Sequence, residues 1–373
     1  MRTRPQSASG SARPLSMAAV LLRLAGIAAA TVATAAGFAY VGGWMSPGRL
    51  TQATLMDAFE RLNGAHPGFR RNHAKGVCVT GWFDSTGTAA LLSRSEILKP
   101  GRVSVIGRFA LAGGMPMQAD APTTVRSMAL RFLGRDGQEW RTGMNNIPVF
   151  PVNTARGFYD QMLASKPDPS TGKPDPNAVK AYFDRHPETL RAMAIIKART
   201  VTPGFADSTF NSLDAFRLVD EGGRSTPVRW AAVPLDPPET EAPAPGAPPG
   251  KNYLFDQLIA QIHLRPLKWR LMITVGQSED PTADATLAWP AERAQIDAGT
   301  VTIETVSSED GGACKDINFD PMVLPSGIEP SDDPLLSARS AAYARSFTLR
   351  TREMGRKPPS AVTPQEARAG GDR

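Results

Sequence analysis

The hydrophobic pattern divides the chain into three zones. A nearly uncharged run over 17–45 comes first, with Arg23 as its one charge. From Leu50 onward, apolar and polar residues alternate in short segments, and after Gly355 the pattern gives way to charged and polar residues. Leu55, Phe59 and Leu62 share one face of a predicted helix over 50–63. Period-two alternation predicts strands at 77–83, 102–112, 125–133, 148–152, 210–219, 226–233, 269–275 and 300–305. Helices are predicted over 186–196 and 253–263, and again after Pro334, where LLSARSAAYARSF lacks Gly and Pro. Asp332 or Asp333 can cap the last of these. Turn residues separate the strands, so the reading is an α+β fold built on an antiparallel sheet or barrel. Residues 164–180 read as a polar Pro-rich loop, and 234–250 as a low-complexity loop or linker. The expected organisation is a leading segment over 1–46, a globular domain over 47–354 and a disordered tail over 355–373.

The leading segment begins with basic residues, Arg2, Arg4 and Arg13. Its uncharged part, 24–45, would span roughly 33 Å as a helix, enough to cross a bilayer. Tyr40 and Trp44 at its far end fit an anchor whose N-terminus stays inside. The alternative is a cleaved signal peptide, with Ala33-Thr34-Ala35 or Ala28-Ala29-Ala30 as the small-residue site. Both readings export the globular part to the periplasmic side. It is then either anchored to the inner membrane by 24–45 or soluble after cleavage.

At 373 residues the chain is long enough for a buried core and a cofactor cavity. Gly and Pro, 33 each, imply many turns and lean towards β structure. The net charge of +6 is spread along the chain rather than gathered into a stripe, so no nucleic-acid partner is expected. Cys78 and Cys314 lack metal-site spacing, and either a disulfide or two buried thiols fits them.

Arg339 and Tyr343 stand four residues apart on the predicted last helix and share a face. A guanidinium beside a phenol favours the phenolate, and a phenolate can serve as an axial ligand to haem iron. His73, in Arg70-Arg71-Asn72-His73-Ala74-Lys75-Gly76, can take and return a proton. Asn145-Asn146-Ile147-Pro148-Val149-Phe150 taken alone reads as a turn.

Together these stretches resemble the catalase family. The proximal wording runs from Phe319-Asp320-Pro321 through Gly327-Ile328-Glu329-Pro330-Ser331 to Arg339 and Tyr343. The H-A-K-G at His73 is similar to the distal segment, Gly107-Arg108-Phe109-Ala110 to R-F-S, and 145–150 to N-N-x-P-x-F. The resemblance covers about 50–352 and implies an antiparallel β-barrel with surrounding helices. It implies haem b, with Tyr343 as the iron ligand and Arg339 as its charge partner. His73 would be the distal acid–base, and Asn145 a hydrogen-bond donor to peroxide. Arg70, Arg108 and Arg350 would bind the propionates, and Phe150 and Phe158 would lie near the haem.

Three departures from the family bear on the distal side. The Ser of R-F-S is Ala110, so the hydrogen bond that orients the distal His is expected to be missing. Asn72 stands where large catalases tend to have an apolar residue. The family's D-x-R-G is Thr124-Val125-Arg126-Ser127, which leaves Thr124 in place of a channel carboxylate. The chain ends shortly after the proximal helix and opens on an export segment. It thus resembles the small catalase-related peroxidases, haem proteins that use organic peroxides with little or no catalase activity.

The implied function is a haem peroxidase acting on organic and hydrogen peroxides. It would work through a ferryl intermediate reduced by an unidentified small donor, in an assembly smaller than a tetramer. True catalase activity is the alternative, followed by rearrangement of a lipid hydroperoxide. Haem storage or sensing would need neither His73 nor Asn145.

Overall fold

The computed structural model describes residues 16–42, 44–45, 49–237 and 250–369. The basic stretch over 1–15, most of the Pro-rich segment and the last four residues lie outside the described residues. Contacts divide the chain into two units, Met1–Thr51 and Gln52–Arg373. In the first, α1 (Met17–Val41) is capped by Ser16, whose hydroxyl accepts from Ala19 N. With a mean hydropathy of 1.8 this helix is long and apolar enough to cross a membrane, a test that a signal sequence also passes.

The second unit opens with α2 (Gln52–Asn63). Then come β1 (Gly76–Ser85), β2 (Gly101–Leu111), β3 (Arg126–Leu133) and β4 (Glu139–Asn145). Three helices follow, α3 (Ala155–Ala164), α4 (Pro176–Arg185) and α5 (Pro187–Ala198). Next are β5 (Phe210–Asn211), β6 (Phe216–Val219), β7 (Ser225–Leu235), α6 (Tyr253–Leu264), β8 (Leu267–Val275) and β9 (Gln295–Ser308). The unit ends with β10 (Ile328–Pro330), α7 (Pro334–Glu353) and α8 (Pro364–Ala369). Neighbouring strands run β7-β5-β4-β3-β2-β1-β9-β8, and β8 pairs back onto β7. The result is a closed eight-stranded antiparallel barrel, with β6 and β10 extending from β7.

The two faces of each strand divide the labour. Val103, Val105, Phe109 and Leu111 of β2 join Met128, Leu130 and Phe132 of β3 and Trp140 and Met144 of β4 in the barrel core. Aromatic rings fill that core at packing distance: Phe132–Trp140 at 4.8 Å, Trp140–Trp230 at 5.0 Å and Phe216–Trp230 at 4.3 Å. Trp230 Nε1 donates to Thr142 Oγ1 at 2.9 Å, which satisfies one buried donor of the cluster. Positions 108, 110, 127, 129, 143 and 145 alternate with the core set and line a cavity outside the barrel.

Several expectations change. The predicted strand at 148–152 is a loop whose Phe150 N donates to Ala285 O, and the strand is β4 just before it. The polar loop over 164–180 ends in α4, started by the Asp175 cap and Pro176. The strand over 210–219 breaks in two at Leu213, whose φ of 69° is left-handed. The tail expected to be disordered is ordered as far as Ala369. Lys357 Nζ pairs with Asp310 Oδ1 at 2.6 Å, Ser308 Oγ donates to Val362 O at 2.6 Å, and Val362 and Ala367 are buried. A few small apolar residues suffice there, because polar neighbours tie the backbone down.

Cys78 of β1 and Cys314, in the loop after β9, form a disulfide across 236 residues. Closing so long a loop puts its contribution in the upper part of the roughly 2–5 kcal/mol typical of disulfides. Reduction should therefore lower the denaturant midpoint of the folded unit clearly, as read by guanidinium titration with and without a thiol reductant. Coincident curves would show that the loop holds its place without the bond.

Candidate active site

The cavity lies between the outer face of β2–β4 and the helices α2, α3 and α7. It holds about 1310 Å³ free of protein atoms, counting the part open to solvent. All nine residues singled out from the sequence line it: Arg70, His73, Arg108, Asn145, Phe150, Phe158, Arg339, Tyr343 and Arg350.

Helix α7 supplies one wall. Asp333 accepts from Leu335 N at 2.9 Å and starts the helix, with Pro334 in its first turn. Arg339, Tyr343, Ser346 and Arg350 then recur at helical spacing and face the cavity. Gly143 of β4 lies opposite. A Cβ there would come within 3.3 Å of the Tyr343 hydroxyl, so glycine keeps the approach open. Arg339 donates to Gly143 O at 3.2 Å and forms an ion pair with Asp214, a buried carboxylate absent from the sequence reading. Part of the charge expected to support the Tyr343 phenolate is thus shared with Asp214.

The loop before β1 supplies His73. Its φ of 53° is left-handed, and Asn72 Oδ1 holds it there by accepting from His73 N at 2.9 Å and Gly113 N at 3.0 Å. Asn72 therefore spends its amide oxygen on the backbone, and the expected polar neighbour of the imidazole is a turn clamp. Arg71 ties the same loop to both flanking helices, donating to Glu60 of α2 and to both carboxylate oxygens of Glu353 of α7. Lys75 is structural, its ammonium buried 2.6 Å from Asp120.

The expected gap beside the imidazole is filled. Ser127 Oγ stands 2.9 Å from His73 Nδ1 and also donates to Asn145 Oδ1. The hydroxyl missing at Ala110 arrives from the adjacent strand, where Ser127 pairs with Ala110. Burial, with the charges of Arg108 and Arg339, pushes the His73 pKa down to about 3. The ring is neutral at physiological pH.

At the other end stand three guanidiniums. Arg108 grips Glu309 through two bonds of 2.7 and 2.8 Å. A Cβ at Gly76 would collide with that guanidinium at 2.6 Å, which accounts for the glycine after Lys75. Arg70 Nη2 donates to Cys314 O and Ile317 O, while its buried Nη1 has no hydrogen-bond partner. Arg350 Nη1 donates to Lys315 O at 2.5 Å. The disulfide loop thus carries the carbonyls that aim both side chains. Burial would raise the Glu309 pKa, but Arg108, backed by Arg70 and Arg350, holds it below the usual carboxylate value. Burial, Arg108 and Arg350 likewise press Arg70 below its ordinary value.

A family model described as Catalase matches residues 41–356. The chain belongs to the catalase family. It is 38% identical over 87% of its length to a catalase-related peroxidase of Synechococcus elongatus, covering 96% of that protein. It is 31% identical over 82% of its length to one from Mycolicibacterium paratuberculosis, again covering 96% of the relative. A catalase of Pseudomonas syringae is 27% identical, and the match covers 63% of that longer chain. Among solved structures, a fungal catalase and a bacterial catalase each superpose with a TM-score of 0.66 at 17% and 20% identity. They cover 83% of this chain and match its barrel fold.

Asp214, Ser127 and Glu309, which the structure brings beside the candidate site, are not singled out by the sequence. Only the Thr124-to-Ser127 departure from D-x-R-G held a signal, since it put a hydroxyl where the family has glycine.

The neutral His73 makes a pH prediction. Its folded pKa lies below the unfolded value near 6.5, so the native state resists a proton that the unfolded chain accepts. Stability is full above pH 6.5 and is lost as the pH falls towards 3. By pH 4 the loss attributable to this ring is on the order of 3 kcal/mol. Urea titrations at pH 7 and pH 4 should show that excess loss in wild type relative to His73→Gln. Equal losses would remove the buried neutral imidazole from the account.

Proposed function

We propose that this catalase-family chain is a haem-dependent peroxidase that reduces organic and hydrogen peroxides with electrons from an external donor. The observation that carries the reading is one cavity that gathers the phenol of Tyr343, the neutral imidazole of His73 and three arginines, two of which pair with the Glu309 carboxylate beside it. Catalase-family proteins generally bind haem. The residues present fit such a group. Arg70 Nη1, buried without a hydrogen bond and 3.8 Å from Glu309, and the surplus positive charge suit its carboxylates, Phe150 and Phe158 offer stacked rings 5.9 Å apart, and a phenol oxygen is a suitable iron donor. In this reading Tyr343 holds the iron, Arg339 steadies the phenolate, and Arg70, Arg108 and Arg350 hold the propionates.

When bound, haem supplies the redox chemistry that a peroxide bond requires. The chain's own residues supply the proton handling. His73, neutral at working pH, accepts a proton from the incoming peroxide and returns it to the departing oxygen. The Asn145 amide orients the peroxide. Peroxidase rather than catalase is supported by the names of the two relatives above 30% identity, both catalase-related peroxidases. Thr124 in place of the channel carboxylate points the same way. The second reading, catalase, draws on the Ser127–His73 bond, which retains distal order that the sequence departures would have removed. Stopped-flow and oxygen-electrode measurements with hydrogen peroxide and an alkyl hydroperoxide separate the two. Dye oxidation should dominate, and vigorous oxygen release with little dye oxidised would favour catalase.

Location belongs to the same proposal. The disulfide suits an oxidising compartment, and α1 suits either an anchor or an export signal. We place the barrel on the periplasmic side, held to the membrane through 24–45. The protein should resist a carbonate wash, whereas a soluble form beginning near Ala36 would identify a cleaved signal.

Two variants test the cofactor assignment. Tyr343→Phe should lose most bound haem, and Arg339→Ala should weaken binding to a lesser degree, both read from the haem-to-protein absorbance ratio. Full haem content and an unchanged spectrum in the Phe variant would eliminate Tyr343 as the ligand.

A further inference from the structure

Residues 110, 127 and 145 stand side by side on three neighbouring strands. Ala110 pairs with Ser127 across β2 and β3, and Ser127 pairs with Asn145 across β3 and β4. All three line the cavity. Ser127 is the middle member, and its hydroxyl bridges His73 Nδ1 at 2.9 Å and Asn145 Oδ1.

The protons along this chain can be counted. A hydroxyl has one proton to give, and an amide oxygen has none. With the Asn145 oxygen placed against it, Ser127 donates there and presents its own oxygen to the imidazole as an acceptor. His73 Nδ1 must then carry the single proton of the neutral ring, and the lone pair is on Nε2. Reversing the chain, with Ser127 donating to Nδ1, would put the proton on Nε2. A ring in that state has no basic nitrogen left for a peroxide. Neither Ala110 nor a glycine at position 127 could supply the bridge.

We propose that Ser127 is a positioning residue that fixes the Nδ1–H tautomer of His73 and locks the imidazole and the Asn145 amide into one orientation. This deepens the proposed peroxidase reading and rests on it. The proton released by a peroxide goes to Nε2 and from there to the departing oxygen, while the Nδ1 proton stays on its hydrogen bond to Ser127. The backbone of His73 is already held by Asn72, so the remaining freedom is rotation of the ring, which the Ser127 bond restrains together with the Leu111 backbone.

The test uses the full-length holoprotein as wild type, Ser127→Ala, Ser127→Thr and the double variant Ala110→Ser/Ser127→Gly. Haem content, the rate of reaction with an alkyl hydroperoxide and the rate of cyanide binding are measured on each. Hydrogen cyanide must surrender its proton to a base as it binds, so it probes His73 without turnover. Ser127→Ala should keep its haem and slow both reactions by ~10–100-fold, by analogy with loss of the outer partner of a metal-bound histidine. Ser127→Thr, or the double variant with its hydroxyl moved to β2, should recover at least tenfold of that loss. Wild-type rates in Ser127→Ala, or a loss that neither hydroxyl-bearing variant recovers, would overturn the inference. If Ser127→Ala fails to hold haem, the double variant is compared with Ser127→Gly alone, and equal rates in those two also overturn it. A wild-type protein that takes up no haem, or ignores both peroxides, would instead fail the peroxidase reading.

Discussion

Strand register is the constraint from which the site descends. β2, β3 and β4 pair without a slip over the segment that matters, so Arg108 meets Ala129 and Ala129 meets Gly143, while Ala110, Ser127 and Asn145 form the next row. Because side chains alternate with period two, the same register that packs Phe109, Met128 and Met144 inward presents these rows outward. A shift of one residue would exchange the faces, put the Arg108 guanidinium in the aromatic core and expose the rings. Barrel stability and site assembly are therefore one selection. The row at 108, 129 and 143 has two small residues beside its arginine and leaves the cavity open over them. The row at 110, 127 and 145 carries the polar atoms.

Charge is the second organising term. Arg70, Arg108 and Arg350 lie within one buried neighbourhood, and Glu309 is the carboxylate that pairs there. Two like charges about 4 Å apart repel by about 4 kcal/mol at an effective dielectric of 20, so such a cluster is stable only if held by other bonds or by anions. Part of the holding is visible. Carbonyls of Cys314, Lys315 and Ile317 accept from Arg70 and Arg350, and the disulfide to Cys78 pins the loop that carries them. The remainder is only partly met, since the buried Arg70 Nη1 makes no hydrogen bond and lies 3.8 Å from a Glu309 carboxylate that Arg108 already holds. A ligand bearing two carboxylates would remove that imbalance, which is the electrostatic argument for the proposed cofactor.

What could be read from the chain follows from how local each signal is. The α7 face was legible because Arg339, Tyr343 and Arg350 recur on a helix announced by Pro334 and Asp333. Long strands were legible from alternation, whereas β5 and β6 were merged because the break depends on the φ of Leu213, a residue with no intrinsic turn preference. That break matters, for it delivers Asp214 to Arg339. Ser127 was visible as a departure from a motif but had no stated role, since its partner lies 54 positions away in sequence and across a strand pair. The clamping role of Asn72 was not legible for the related reason that an amide oxygen beside a histidine can face the ring or the backbone, and only the left-handed turn shows that it takes the backbone. The tail was misjudged because polarity was read as disorder, while Asp310, too distant to be linked by pattern, anchors Lys357 and Ser360.

The distal loop joins these strands of argument. A histidine in the left-handed region costs about 1–2 kcal/mol, and an unsupported loop would relax out of it. Here three supports converge on neighbouring residues. Asn72 clamps the turn to Gly113, Arg71 spans Glu60 and Glu353, and Ser346 of α7 accepts from Arg71 N at 3.2 Å. The third support means that the helix bearing Tyr343 also sets the backbone that bears His73. The phenol and the imidazole are thus held by one frame, α7 with its ionic braces, rather than by two elements free to drift apart. Strain at His73 is sustained because relaxing it would break bonds on both sides of the cavity, and this makes the distance between the phenol and the imidazole a property of the fold.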